Sequence, residues 1–341
     1  MTQQPGAPES SRTNNAAAPR GFATPSPGPS PETGEIGALT GPDQGRLLFR
    51  LTPKSWHTYI ELARLDRPIG WWLLLLPCWW SSALASLAQR APLNLRDLAL
   101  FFAGAVVMRG AGSTYNDIVD RNIDKQVART RSRPLAARRI GVKSAVFFLA
   151  AQCFAGLAVL SSFNRFTVYL GCASLGIVGL YPFMKRISSW PQAVLGAAFA
   201  WGALVGWSAA FGALALPPVA LYLAACFWTI GFDTIYALQD LEDDALAGIG
   251  STARAFGRHV RPSVGCLYLI AALFTETAVW TAGSGLFAQG GVLLFAAHLA
   301  WQVTRISASD GVEALRLFRS NRDAGLALFA GVAAQVSFAP G

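Results

Sequence analysis

Acidic and amide side chains are concentrated in one short stretch of the chain, GSTYNDIVDRNIDKQVARTRSRPL at 112–135. Asn116, Asp120 and Asp124 are spaced four residues apart, so on a helix they form one stripe, with Asp117 close beside it. Side-chain oxygens without histidine or cysteine are the ligands that suit Mg²⁺. This stretch therefore predicts a magnesium site.

Basic side chains interleave with these acids and follow them. Arg121 and Lys125 alternate with the acidic residues, and Arg129, Arg131 and Arg133 come directly after. Arginine and lysine bind phosphate oxygens through charge-assisted hydrogen bonds. Metal ligands beside anion-binding bases indicate a metal-held phosphate ester.

A second acidic cluster occurs at 231–252, in GFDTIYALQDLEDDALAGIGST. The residues that share one helical face here are Asp233, Tyr236, Asp240 and Asp244. The two clusters align as Asn116-Asp117-x-x-Asp120 and Gln239-Asp240-x-x-Asp243, which indicates a weak internal duplication. We expect the two clusters to face each other and to hold two or more metal ions around a diphosphate.

The composition indicates a polytopic helical membrane protein. Hydrophobic residues make up 53% of the 341 residues and charged residues only 14%, well below the roughly 25% of soluble domains. Lipid offers no partner for free backbone groups, so each apolar block must be a helix. The fold class is therefore all-α, with nine predicted spans: 68–88, 97–115, 142–162, 164–181, 191–212, 217–237, 262–282, 285–304 and 323–339.

The distribution of bases predicts the topology. Of the 28 lysines and arginines, all except Arg90, Arg96 and Arg165 are assigned to one side of these spans. We assign that side, which also carries both acidic clusters, to the cytoplasm. The net charge of +9 is thus explained by membrane topology, and no nucleic-acid partner is expected.

The N-terminal region predicts no folded domain. Residues 1–45 are rich in Pro, Gly, Ser and Ala, which indicates a disordered tail. Residues 46–66 are a juxtamembrane interfacial segment, and 67–341 form the transmembrane domain. The tail lacks the apolar core of a secretory signal, and its acids count against a mitochondrial transit peptide. A bacterial inner membrane is therefore the expected location.

The five cysteines and three histidines are scattered along the chain. No pair has the spacing of a zinc or redox site. We expect the cysteines to be small buried hydrophobic residues.

Several segments resemble the UbiA prenyltransferase family. They are RLDRPIGWWLLLLP at 64–77, the Asn116–Asp124 motif with TRSRPLA at 130–136, LYPFMKR at 180–186, WPQAVLG at 190–196, DTIYALQDLEDDALAGIGSTA at 233–253 and LFRSNRDAGLALF at 317–329. The resemblance covers about 64–335 and implies nine helices around a central cavity. It implies Mg²⁺ and an all-trans polyprenyl diphosphate donor. Within the family the motifs favour 4-hydroxybenzoate as acceptor, prenylated meta to its carboxylate in ubiquinone synthesis.

The resemblance also implies roles for individual residues. The expected ligands of the metal–diphosphate are Asn116, Asp120, Asp124, Asp240 and Asp244, with Asp117 and Asp243 in support. The candidates for binding the diphosphate or the aromatic carboxylate are Arg67, Arg131, Arg133 and Lys185. Apart from the resemblance, aromatic faces attract cations, which makes Tyr181 and Tyr236 candidates for stabilising an allylic cation. Asp233 is the candidate for orienting the phenol or receiving a proton.

Two alternatives stay open at this point. A prenyltransferase of this family could use a different aromatic acceptor. A transporter for divalent cations or anionic solutes would also have duplicated helical units and charges near the membrane. Acids at the ends of spans, with bases beside them, favour the enzyme.

Overall fold

The computed structural model describes residues 44–126, 130–241 and 250–338, and their side chains except for 44–46, 185–186 and 240. Within these ranges the chain is helical and contains no strand. The predicted tail at 1–45 lies almost entirely outside the described residues. The all-α fold class is confirmed.

Thirteen α-helices and two short 3-10 turns follow one another in the described residues. The helices are α1 Gln44–Leu51, α2 Lys54–Leu62, α3 Ile69–Gln89, α4 Leu95–Asp124, α5 Val142–Leu160, α6 Arg165–Ile187, α7 Pro191–Ala200, α8 Gly202–Phe211, α9 Leu216–Ala237, α10 Thr252–Phe256, α11 Val260–Gly283, α12 Leu286–Arg305 and α13 Gly311–Phe338. The 3-10 turns are Leu238–Asp240 and Gly257–His259.

Eight segments of the described chain are long and apolar enough to cross a membrane. They are α3, α4, α5, α6, the α7–α8 pair, α9, α10 with α11, and α12. The ninth predicted span, 323–339, falls in α13, which has 28 residues. Its first half carries Glu313, Arg316, Arg319, Arg322 and Asp323, so composition alone does not mark it as a span.

Helix α4 carries the first acidic motif at its C-terminal end. Its N-cap is Asn94, whose side chain accepts a hydrogen bond from the backbone N–H of Asp97 at 3.1 Å. Its 30 residues extend about 45 Å, longer than the roughly 30 Å hydrocarbon core. Asp117, Asp120 and Asp124 lie in its C-terminal third, so the length of the helix is sufficient to place them beyond the hydrocarbon core.

Aromatic side chains form the centre of the bundle. Trp80 of α3, Trp228 of α9 and Phe295 of α12 are each at most 1% exposed. Trp80 Nε1 donates to the carbonyl of Gly325 at 2.7 Å, and Trp228 Nε1 donates to Asn321 Oδ1 at 2.8 Å. Because both indole N–H groups are satisfied, these large rings tie α3 and α9 to α13 without leaving a buried donor unpaired.

Helices α5 and α6 lie at the periphery. Only 17% of the α5 span and 11% of the α6 span are buried within the protein, against 67% for α3. The expectation that all cysteines are buried is wrong here, because Cys153 of α5 and Cys172 of α6 are exposed, as is Cys266 of α11. Apolar side chains in a membrane protein can face lipid, so a cysteine in an apolar span need not be in the core.

Candidate active site

The acidic end of α4 is held by a network of buried ion pairs. Arg64 Nη2 donates to both carboxylate oxygens of Asp117, at 2.9 and 3.1 Å. Arg133 Nη1 lies 3.4 Å from Asp117 Oδ1 and 2.9 Å from Asp124 Oδ2. Asp117 is 1% and Asp124 6% exposed. A single arginine therefore bridges two acids separated by two helical turns, and the loop that follows α4 is folded back onto the motif.

Arg64 has an unusual conformation that supports this network. Its φ of 55° is in the left-handed region, which non-glycine residues rarely adopt. Its Nη1 also donates to the carbonyl of Glu61 at 2.7 Å. Burial lowers the pKa of the Arg64 guanidinium, and the carboxylate of Asp117 opposes that shift. The strained backbone and the buried pair together fix the RLDRPIG segment beside α4.

A large cavity of about 2200 Å³ opens beside this network. Its polar end is lined by Asn116 of α4, by Asp233 and Tyr236 of α9, and by Gln239 of the turn that follows α9. The structure therefore brings the ends of both acidic motifs to one chamber. Asp120 is buried, with 8% exposure, and it lies behind the cavity surface, as do Asp117 and Asp124.

Two oxygens at the cavity are buried without a hydrogen-bond partner. They are Asn116 Oδ1 and Asp66 Oδ1, and both residues line the chamber. Burial raises the pKa of the Asp66 carboxyl, while Arg67 and Arg64 oppose the shift. An unpaired buried oxygen needs an explanation, and a hard cation supplies one.

The predicted bases reach the same chamber from several elements. Arg67, Arg131 and Arg133 all line it. Arg67 is exposed and pairs with neighbouring Asp66 at 3.3 Å. Arg319 of α13, which the sequence did not single out, also lines the cavity and lies close enough to Arg67 and Tyr236 to interact with them electrostatically.

Sequence reasoning missed Arg109, which it grouped with the bases outside the membrane. The structure places Arg109 inside α4, on the cavity wall. Its Nη1 donates to Ser113 Oγ at 2.7 Å, its guanidinium lies 5.8 Å from the ring centroid of Phe199, and its Nε has no partner. An arginine within an apolar span is a functional-site signal in itself, and that signal could have identified it.

Arg109 stands among other predicted site residues. It lies close enough to Tyr181, Tyr236 and Asp233 to interact with them electrostatically. Tyr181 and Tyr236 both line the chamber. The ring of Tyr236 packs on Phe318, with centroids 4.7 Å apart. An anionic group bound to Arg109 would be surrounded by these polar and aromatic side chains.

Some predicted residues are beyond what the structure describes. Asp243 and Asp244 lie outside the described residues. Asp240 closes the 3-10 turn after α9 and Lys185 lies near the end of α6, but their side chains are not among those described. In the described ranges no three His, Cys, Asp or Glu side chains form a metal-binding group. Asn116 lines the chamber and has a buried side-chain oxygen without a hydrogen-bond partner. An oxygen of this kind fits Mg²⁺, because Mg²⁺ needs few protein ligands.

The fold and this site define a polytopic helical membrane protein with acidic and basic side chains at the polar end of a largely apolar chamber. A profile of the UbiA prenyltransferase family matches residues 74–329. The chain belongs to the UbiA prenyltransferase family. The prediction of a prenyltransferase is thereby confirmed, and the transporter alternative is not favoured.

Curated relatives are similar over most of the chain. The mitochondrial 4-hydroxybenzoate polyprenyltransferase of Aedes aegypti is 46% identical over 297 residues, covering 81% of this chain and 63% of that protein. The human mitochondrial protein of the same name is 42% identical over 292 residues, covering 82% and 76%. The chain thus spans slightly less than two thirds of the mosquito relative.

Solved structures share the fold. A UbiA homolog from Aeropyrum pernix K1 in its apo state matches with a TM-score of 0.64 and 27% identity, covering 76% of this chain and 96% of that one. A UbiA homolog from Archaeoglobus fulgidus bound to GPP and Mg²⁺ matches with a TM-score of 0.58 and 20% identity, covering 80% and 99%. At that identity the second likeness concerns the fold alone.

The predicted bacterial inner membrane is wrong. The similar relatives are named as mitochondrial proteins of insects, mammals and a plant, which points to a mitochondrial membrane. The prediction relied on the acids of the N-terminal tail, Glu9, Glu32, Glu35 and Asp43. Four acids spread along a segment that also carries Arg12 and Arg20 are a weak criterion for cellular location.

Proposed function

We propose that this protein transfers the polyprenyl group of a polyprenyl diphosphate to the ring of 4-hydroxybenzoate and releases diphosphate, in ubiquinone synthesis. The allylic carbon–oxygen bond to diphosphate breaks, and that carbon bonds to the ring carbon meta to the carboxylate. The proton on that ring carbon then leaves to a base. Family membership supports the chemistry, and the names of the similar relatives support the acceptor.

A single observation carries the proposal. One cavity is lined by Asn116 of the first motif, by Asp233 and Tyr236 of the second, and by Arg109, and apolar walls continue from it. A diphosphate, an aromatic acid and an apolar tail each find a matching surface there. The surrounding helices limit access of water to an allylic cation.

The acidic motifs are the proposed metal site. Mg²⁺ would stabilise the negative charge that the departing diphosphate gains. The proposed ligands are Asn116, Asp120, Asp124, Asp240 and Asp244. Asp117 and Asp243 would support them, and Asp117 does so by holding Arg64 and Arg133 in place.

The bases divide between the two anions. Arg67, Arg131, Arg133 and Lys185 are proposed for the diphosphate, since the first three line the polar mouth of the cavity. Arg109 is proposed for the carboxylate of 4-hydroxybenzoate, since it lies deeper within α4 and its Nε is unpaired. Asp233 would orient the phenol or receive the ring proton, with Tyr181 and Tyr236 beside the reacting carbon.

The test is turnover of the purified protein with a polyprenyl diphosphate, Mg²⁺ and a panel of aromatic acceptors. We expect 4-hydroxybenzoate to be preferred. Asp120→Asn and Asp240→Asn should each lower kcat/KM by about a hundredfold or more, since even changes in residues that only support metal ligands cost up to about a hundredfold. Asp310→Asn, a matched change at the exposed start of α13 outside the cavity lining, should leave turnover unchanged. Full activity in both site variants would refute the assignment.

A further inference from the structure

Three arginines of α13 lie beside the second acidic motif. Arg316, Arg319 and Arg322 are spaced three residues apart, and all three line the chamber. The two outer arginines have acidic partners: Arg316 Nη1 lies 3.7 Å from Glu313 Oε2, and Arg322 Nη2 lies 2.7 Å from Asp323 Oδ1. Among the residues that the structure describes, Arg319 has no ion pair and no hydrogen bond to an acid. The central guanidinium of the row therefore lacks a counterion within these residues.

The packing of α13 on α9 places Arg319 at the polar end of the chamber. The ring of the preceding residue, Phe318, packs on the ring of Tyr236, with centroids 4.7 Å apart. At the start of α13, a Cβ on Gly311 would lie 3.5 Å from the Cα atom of Gln239, in the turn after α9. The first half of α13 thus forms the chamber wall beside the second acidic motif.

Buried hydrogen bonds fix the rotation of α13 about its own axis. Asn321 is fully buried, accepts from Trp228 Nε1 at 2.8 Å and donates to the carbonyl of Leu317 at 3.1 Å. Gln302 of α12 is also fully buried and donates to the same carbonyl at 3.3 Å. Residues two apart on a helix lie on roughly opposite sides of it. Because Asn321 faces the core, Arg319 is held facing the chamber.

A second positive charge lies near Arg319. Arg67, just before α3, lines the same chamber and is close enough to Arg319 to repel it electrostatically. Burial and the charge of Arg67 lower the pKa of the Arg319 guanidinium, while Tyr236 opposes the shift. Arginine stays protonated in proteins, so the repulsion persists in the empty protein. An anion bound between the two guanidinium groups would offset it.

The second acidic motif obtains no bases from the residues that follow it in sequence. Arg254, Arg258 and Arg261 come after that motif, yet none of them belongs to the described lining of the chamber. At the first motif, the loop after α4 does supply such bases, Arg131 and Arg133. Positive charge on the side of the second motif comes instead from α13.

We propose that Arg319 binds the diphosphate of the donor from the α13 side and, together with Arg67, holds it beside the second acidic motif. This rests on the proposed function and adds a binding residue to it. The ligand is an anion with several phosphate oxygens, because each guanidinium donates through more than one N–H and two of them must be satisfied at once.

The first test is steady-state kinetics of Arg319→Gln with a short donor, geranyl diphosphate. We expect KM for the donor and the inhibition constant of inorganic diphosphate each to rise about tenfold or more, the effect of losing a charge-assisted hydrogen bond. KM for 4-hydroxybenzoate should stay at the wild-type value, and Arg319→Lys should recover part of the loss. Arg305→Gln, at the exposed end of α12 outside the cavity lining, is the matched control and should change none of these constants. Unchanged donor KM and unchanged inhibition in Arg319→Gln would overturn the proposal.

The second test separates a binding role from a structural one by thermal unfolding in detergent. Without ligand, Arg319→Gln should unfold at the wild-type midpoint or above it, because the substitution removes a half-buried charge beside Arg67. With Mg²⁺ and inorganic diphosphate at about a hundredfold excess over the wild-type Kd, a tenfold weaker Kd should make the rise in midpoint about half as large in the variant. A lower ligand-free midpoint with an undiminished rise would show that Arg319 only supports the fold, and would overturn the proposal.

A third comparison identifies the source of the phosphate oxygens. Wild type and Arg319→Gln are assayed in vesicles of phosphatidylcholine with and without phosphatidylglycerol, and we expect both proteins to respond equally to the anionic lipid. A response that only the variant loses, with donor KM unchanged, would assign Arg319 to a lipid headgroup and overturn the proposal. Absence of turnover in wild type with every donor and acceptor would refute the proposed function. Weaker binding of inorganic diphosphate by Arg319→Gln would still support the anion site in that case.

Discussion

Arg109 is a charged side chain placed where charge is costly. It lies within a membrane-spanning part of α4, with one contact to Ser113, one to the face of Phe199 and one nitrogen unpaired. Such a residue lowers the stability of the empty protein and is stabilised when an anion binds. This arrangement is the physical reason for assigning the acceptor's carboxylate to it.

Replacing Arg109 should therefore weaken binding of the acceptor selectively. We expect Arg109→Met to raise KM for 4-hydroxybenzoate by about a hundredfold, since removing the partner of a buried charge costs about 2–5 kcal/mol. An acceptor that lacks the carboxylate should lose much less. Steady-state kinetics with both acceptors measure this difference. Equal losses for the two acceptors would show that Arg109 acts on something other than the carboxylate.

The ion pairs around Asp117 illustrate what spacing can and cannot predict. Asn116, Asp120 and Asp124 were recognisable as one helical stripe, and α4 does continue through all of them. The partners of the acids were not recognisable, because Arg64 is 53 residues distant in sequence from Asp117. Contacts of this kind are set by packing of the whole bundle and have no local signature.

The helices themselves were largely predictable from apolar run length. The predicted span 142–162 is α5 Val142–Leu160, and 285–304 is α12 Leu286–Arg305. The ends of α4 and α13 could not be predicted in this way, since both helices continue through charged residues that end an apolar run. The break at Trp201 between α7 and α8 also had no signal in the local sequence. The indole N–H of Trp201 donates to the carbonyl of Leu170 in α6, and a contact between two helices cannot be predicted from neighbouring residues.

Close packing between α3 and α8 depends on a glycine. A Cβ at Gly206 would lie 2.5 Å from the carbonyl oxygen of Cys78, which is backbone and cannot move aside. We expect Gly206→Ala to destabilise the protein by about 1–3 kcal/mol, seen as a lower thermal midpoint in detergent. Gly290→Ala in α12, where an added Cβ meets nothing within 4 Å, is the control. It should be neutral or stabilising by up to about 1 kcal/mol. Equal midpoints for the two variants would contradict the close-packing argument.

At the scale of the whole molecule, the helices of the bundle differ in how much of each is buried. A well-packed side built on α3, α9, α12 and α13 holds the aromatic core, while only small parts of α5 and α6 are buried within the protein. The sequence indicated both acidic motifs and a cavity between them. It could not indicate which helices close the cavity, since packed and lipid-facing apolar side chains have the same composition.

Binding of the metal and the diphosphate should be mutually dependent, because the acids repel an anion without the cation and the cation has few protein ligands without phosphate oxygens. We expect inorganic diphosphate with Mg²⁺ to raise the thermal midpoint. At a hundredfold excess over Kd, the free energy of unfolding should increase by up to about 2.7 kcal/mol. Diphosphate with a chelator, or Mg²⁺ alone, should raise it much less, and Asp120→Asn should abolish the combined effect. The same chelator should stop prenyl transfer, and Mg²⁺ should restore it. Stabilisation by diphosphate that persists under chelation would show that the arginines alone hold the anion, and the metal site would then have to be rejected.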